Sequence, residues 1–481
     1  MKKIGLVLVI ALMMFSMTPP HPVWAAGPAG NWVSGIACQN MDNTQAATIL
    51  ISFYAEGNGT AVFTYNDTIP AGGSKGYYTP NVTGLPTPLV GSAVVSSSTE
   101  IVCNVNTQTS SAGTETSPYR IGTSSGFSES QTAATIYAPQ LEKAFYNWNS
   151  YLSIQNTGSA SVTVDITYRD RNGVLIAAAN EAYTIPAQTN KVVYQESNPN
   201  LPAGFLGSAK IAARDGTTKL AVVASFYNNA SSSGTSQFHS YNGMSTGGEK
   251  LFVPYIVRNY YGYNGGISIQ NVGTTNTAVT ITFTFGTTNY VYTFGTIAPG
   301  SALALYTPNM PELNAVDALP LGQHAGSAVI QADSGAQIVA IVNQSNLGGA
   351  GVPVERVGQG ATYNAILDGT QTVKVFLPQV PKRAGGIFSG GFQITNTTAA
   401  AGTCTITYAG VPSATETNVA LFASGVISRY APSNANLTVG FNGSVSVVCT
   451  QPVVAIVNLA ADPGTGKVGD SFTQSNTVNT P

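Results

Sequence analysis

Charge is what this sequence has least of. Of 481 residues only 8% are Asp, Glu, Lys or Arg, against about 25% in an average soluble domain. The net charge of −2 leaves no basic patch, which excludes nucleic acid as a partner. Histidines number three. His21 lies at the edge of the N-terminal leader, and His239 and His324 stand alone, so each reads as a surface or packing residue. No His-Glu-x-x-His pair, Gly-x-Ser-x-Gly elbow or phosphate loop occurs, so zinc hydrolysis, acyl transfer and nucleotide chemistry lack their signatures. The acids are scattered, with Asp165, Asp170 and Asp215 the nearest to a group. Arg169-Asp170-Arg171-Asn172-Gly173 reads as a charged hairpin tip, because a calcium loop needs several oxygen ligands at fixed spacing. The chain reads as a non-enzyme with no cofactor and no metal.

Long apolar runs are equally scarce. One extends from Ile4 to Met17, behind Lys2 and Lys3 and ahead of small residues at Ala25 and Ala26. It is too short to span a bilayer and reads as a signal peptide over residues 1–25; no other run nears ~20 residues, so no membrane span is expected in the mature chain. Losing two lysines with the leader makes that chain more acidic. The expected location is extracellular or at the cell surface. Export makes disulfides the natural state of the four cysteines, Cys38 with Cys103 and Cys404 with Cys449, each pair within one repeat. Alignment with apolar positions places Cys38 and Cys103 in the core, on strands that could face each other across a sandwich, and sets Cys404 and Cys449 on a different strand pair. A helical apolar period with caps is absent as well.

What is present is a repeat. Trp32, Trp148, Tyr263 and Phe388 recur about every 115–125 residues, each ahead of alternating apolar residues that end in asparagine: Ile36-Ala37-Cys38-Gln39-Asn40, Leu152-Ser153-Ile154-Gln155-Asn156, Ile267-Ser268-Ile269-Gln270-Asn271 and Phe392-Gln393-Ile394-Thr395-Asn396. Period-two runs such as Val162-Val164-Ile166-Tyr168 follow, then a turn leading to a strand that ends in tyrosine (Tyr78, Tyr194, Tyr306, Tyr430), then a Gly-Ser box at Gly91, Gly207, Gly326 and Gly443. About seven short strands per repeat predict an all-β chain of four tandem immunoglobulin-like β-sandwiches, at 26–132, 133–247, 248–370 and 371–481. Three leading segments carry a proline inside an apolar strand and a Lys or Arg after it, at Pro139/Lys143, Pro254/Arg258 and Pro378/Lys382. The first repeat has none, so one terminal unit should lack an edge strand.

The set P-x-φ-x-[KR], W/Y-x-x-x-I-x-[IV]-Q-N, G-S-A and [IV]-A-x-[VI]-N-Q resembles the tandem modules of secreted bacterial cell-surface proteins. The likeness is clearest in the second and third repeats, where Ile341-Val342-Asn343-Gln344 completes it. It implies an envelope or matrix role and carries no catalytic residues. The expectation is a semi-rigid rod of four sandwiches, a sheath, surface-layer or fibre subunit that associates with itself or other envelope components. Its open edge strand would accept a strand head to tail from another molecule. The repeated aromatics pack where units meet; the alternative is an adhesin that stacks polysaccharide on them.

Overall fold

The computed structural model describes residues 27–229, 236–349 and 352–480; the expected leader lies outside them. Apart from short 3-10 turns, every element is a strand. The second unit serves as the pattern. One sheet runs in the order Glu181–Ile185, Val162–Asp170, Phe205–Ala213, Thr135–Lys143, and the other Asn190–Tyr194, Trp148–Asn156, Leu220–Asn228, Phe238–Asn242. Alternation places the sheets: Val162, Val164, Ile166 and Tyr168 are buried against Leu152, Ile154 and Val222, while the residues between them are part exposed. Two sheets recur around Tyr263–Asn271 and, with a three-stranded outer sheet, around Trp32–Asn40; around Phe388–Asn396 the long strand Phe441–Ala461 runs through both layers and joins them. The strand partition differs from that of immunoglobulin domains, whose first two strands share a sheet. Here Thr135–Lys143, Trp148–Asn156 and Val162–Asp170 alternate between sheets.

The recurring residues explain how the chain crosses over. Each box asparagine is buried and ties the turn behind it to the turn that ends a later strand. Asn156 Nδ2 donates to the carbonyls of Ala160, Ile185 and Pro186 at 2.7, 3.0 and 3.1 Å, while its Oδ1 accepts from Gly158 N at 2.8 Å. Asn40, Asn271 and Asn396 repeat this clamp. The Lys or Arg after each leading segment holds another turn: Lys143 Nζ donates to Asn198 O, Arg258 Nη1 to Met310 O, Lys382 Nζ to Asn434 O. The box glycines permit a close approach. A Cβ on Gly91, Gly207 or Gly326 would lie 1.9–2.1 Å from a backbone oxygen of the adjoining strand.

Both disulfides form within a unit, Cys38–Cys103 and Cys404–Cys449. They do not span the sandwich, however. In each pair the cysteines are directly opposite on adjacent antiparallel strands of one sheet. A sequence alignment fixes which residues face the core, but two core-facing residues can be cross-strand neighbours as readily as partners across the interior.

The units are not strung into a rod. The last inner-sheet strand of each, at Tyr119–Ser125, Phe238–Asn242, Gly360–Asn364 and Phe472–Asn476, packs against its two counterparts, and the series closes from the fourth unit back onto the first. Gly469–Asp470 of the fourth unit even pairs in parallel with Tyr119–Arg120 of the first. Four sandwiches thus surround a common axis with pseudo-fourfold symmetry.

Candidate functional site

The axis is built from polar side chains. Asn242 N donates to Asn364 Oδ1 at 3.1 Å, and Asn364 N to Asn476 Oδ1 at 2.9 Å. In return Asn364 Nδ2 reaches Asn242 O, and Asn476 Nδ2 reaches Asn364 O. Ser125 completes the ring by donating to Asn476 O at 3.1 Å and accepting from Asn242 Nδ2 at 2.9 Å. Glycines let the strands close in: a Cβ on Gly122 would lie 2.7 Å from the Phe238 ring, and one on Gly360 would lie 2.2 Å from His239 Nε2. Asp470 is fully buried and touches three other units. Its carboxyl accepts from Phe238 N at 2.9 Å and Gly360 N at 2.8 Å, and the Arg120 guanidinium lies near enough to act on it. Burial drives its proton affinity well up, against the pull of those N–H groups and of Arg120. Arg120, itself buried, donates to Ser236 Oγ and to Ala29 O.

A hydrogen-bonded chain joins the second unit to the third. His239 Nδ1 lies 3.2 Å from Thr362 Oγ1, which donates to Asn343 Oδ1. Asn343 Nδ2 donates to Gln140 Oε1 at 3.0 Å, and Gln140 Nε2 to Glu142 Oε1 at 2.7 Å. Because the threonine hydroxyl is already committed as donor to Asn343, it must accept from the imidazole. That assigns the proton of neutral His239 to Nδ1. Burial holds the His239 pKa down to about 3 and pushes the Glu142 carboxyl up to about 8, with the Gln140 bond opposing the latter.

The four recurring aromatics are all half-buried, and three of them meet a ring of another unit. Trp32 meets Phe238 of the second unit at 4.6 Å between ring centres, Tyr263 meets Phe472 of the fourth at 5.4 Å, and Phe388 meets Tyr119 of the first at 6.2 Å. Trp148 packs at 5.2 Å on His239 of its own axial strand. The leading segments reach the same joints: Gln140 accepts from Ser268 Oγ, Pro254 O from Thr395 Oγ1, and Gln379 Oε1 from Asn106 Nδ2.

The three acids noted in the sequence are not brought together. Asp165 pairs with Arg214, Asp170 receives Asn172 N and Val174 N in its own hairpin, and Asp215 caps the turn at Thr217 and Thr218. Among the described residues no group of three or more His, Cys, Asp or Glu is placed to hold a metal ion, and no helix is long and apolar enough to cross a membrane. His324 is a buried packing residue whose ring nitrogens face the carbonyls of Arg258 and Leu319.

The joints are unequal. Between the first and second units a hairpin tip docks on the next unit's turn through Gly57 N to Asn190 O, Thr189 Oγ1 to Ala55 O, and the Lys191–Glu56 ion pair. Between the second and third, Ala302 N donates to Arg171 O and Ser208 Oγ to Gly300 O. Between the third and fourth, among the described residues, no hydrogen bond joins the equivalent tip at Gly286 to the turn at Ser424–Gly425. A cleft of about 1380 Å³ opens there, walled by Tyr260, Tyr263 and Arg356 on one side and Arg429, Tyr430 and Glu416 on the other. Asp470, Arg120 and Glu142 belong to no recurring motif and carry no mark in the sequence. The recurring Asn at the ends of Ser240-Tyr241-Asn242, Thr362-Tyr363-Asn364 and Gln474-Ser475-Asn476 was the available signal for the axis.

No protein-family model matches the chain, and no curated protein matches it. Among solved structures, the crystal structure of Thermotoga maritima 1070 is similar over 25% of this chain and 96% of its own, with 18% identity and a TM-score of 0.19. That likeness is too distant to speak for function.

Proposed function

We propose that the chain is a non-enzymatic, secreted structural protein of the cell surface, a subunit of a sheath, surface layer or fibre. The observation that carries this reading is the role of the repeated residues. Those that recur three or four times act as turn clamps, close-approach glycines or joint aromatics, and none of them is an acid or a histidine; the one acid seen to recur, Glu181 and Glu416, does so in two units and accepts from a core tyrosine. Two disulfides fit an oxidising compartment outside the cytoplasm. The subunit would be a closed block, so contacts between copies would lie on its outer faces, where Phe422 and Val439 are exposed. Immunogold labelling of intact cells, with negative-stain microscopy of the mature protein at rising concentration, tests this. Surface label and ordered assemblies are expected; label confined to the cytoplasm would contradict it.

A second reading, carbohydrate binding, is favoured by the cleft between the third and fourth units. Its tyrosines, arginines and amides suit a glycan, and of the four recurring aromatics only Tyr263 lines it. Glycan-array binding lost in a folded Tyr430→Ala, Arg429→Ala variant would support this, and binding unchanged by those substitutions would remove it.

A further inference from the structure

Among the described residues the first unit has no leading strand, and the other three units define the shape of the opening this leaves. In the second unit Ile136 and Ala138 of the leading strand sit opposite Ile211 and Ala209 and are fully buried. In the third, Leu251 and Val253 take these places opposite Ile330 and Ala328; in the fourth, Val375 and Leu377 do so opposite Val447 and Val445. The equivalent strand of the first unit, Gly91–Ser97, pairs on one side with Ala47–Ala55; on its other side, among the described residues, no strand pairs. Its core-facing residues, Ala93 and Val95, are only part buried, whereas Ala209, Ile211, Ala328 and Ile330 are closed off. Phe63, Tyr65, Leu85 and Leu89 of the same core are likewise part exposed. The unit therefore carries a groove with an unpaired backbone edge and an apolar floor.

We propose that this edge is an acceptor site for an extended strand supplied by another polypeptide. The internal precedents specify the occupant. It runs antiparallel to Gly91–Ser97, with a branched apolar side chain opposite Val95 and a second apolar residue, two positions on, opposite Ala93. Backbone hydrogen bonds give the affinity and the two alternate side chains the selectivity. Since Ser92, Ser96 and Ser97 flank the groove without charge, the occupant's outward residues are unconstrained in sign. This inference does not depend on the surface-structure reading and survives if that reading fails.

The test uses the mature protein and a synthetic peptide of residues 372–382, with the same peptide carrying Val375→Asp and Leu377→Asp as control. Hydrogen exchange is followed at residues 91–97, and at 443–449 to detect displacement of the chain's own strand. Saturable binding that slows exchange at 91–97 by about tenfold or more is expected, with 443–449 unchanged and the control peptide inert. No slowing at millimolar peptide, or equal slowing by the control, would overturn the proposal.

Discussion

Glu142 and His239 lie at opposite ends of one hydrogen-bonded chain, and burial sets opposite pH limits at the two ends. The Glu142 carboxyl is pushed up to about 8 in the folded protein, from an ordinary value of 4.5. Stability drawn from its protonated form is complete below 4.5 and is lost as pH rises toward 8. His239 is held down to about 3, from 6.5, so its contribution is complete above 6.5 and is lost as pH falls from there. Glu142→Gln keeps the acceptor for Gln140 and removes the ionisation. Urea unfolding across pH should show the alkaline limb flattened and stability at pH 8 raised, with the acid limb unchanged. An alkaline limb as steep as wild type would show that Glu142 does not carry it. Neither residue is legible as special: a glutamate in Leu141-Glu142-Lys143 looks like a strand's solvent face, yet in the fold it is buried, and its neighbour Gln140 on that face accepts from Asn343 of the third unit.

Among the elements, the clamp asparagines and box glycines make the sharpest predictions. Asn156→Ala would leave the carbonyls of Ala160, Ile185 and Pro186 without their donor, a loss of about 1–3 kcal/mol in denaturant unfolding. Gly207→Val would drive its Cβ into Arg169 O, separate the strands there and destabilise the protein more than the same change at the strand residue Gly76, where nothing lies near. Replacing both Cys404 and Cys449 with serine should cost about 2–4 kcal/mol. Much of this level could be read from the chain. Period-two alternation placed Val162–Asp170 and its counterparts as strands, because each has one face on an apolar core. The sheet each strand joins was not readable, since alternation tells which side is buried and nothing about which neighbour supplies the hydrogen bonds. That is why Cys38 and Cys103, on strands that alternation allows to face each other across the sandwich, lie opposite each other within one sheet.

At the scale of the whole molecule, the closed ring replaces the expected rod. Hydrophobic patterning reports faces that meet apolar cores, and the strands around the axis meet one another through Asn, Ser, Thr and Gln, which read as solvent-facing loop residues. Their contacts also join residues as distant as Ser125 and Asn476. Asp470→Ala would strand the N–H groups of Phe238 and Gly360, at about 1–3 kcal/mol each, and would loosen the joint at which the fourth unit returns to the first. Small-angle X-ray scattering of residues 27–481 tests ring closure most directly. A compact particle of about 455 residues has a radius of gyration near 23 Å, and the ring predicts a value close to that with a single-peaked distance distribution. A radius about twice as large, with the long tail of four beads in a line, would contradict it.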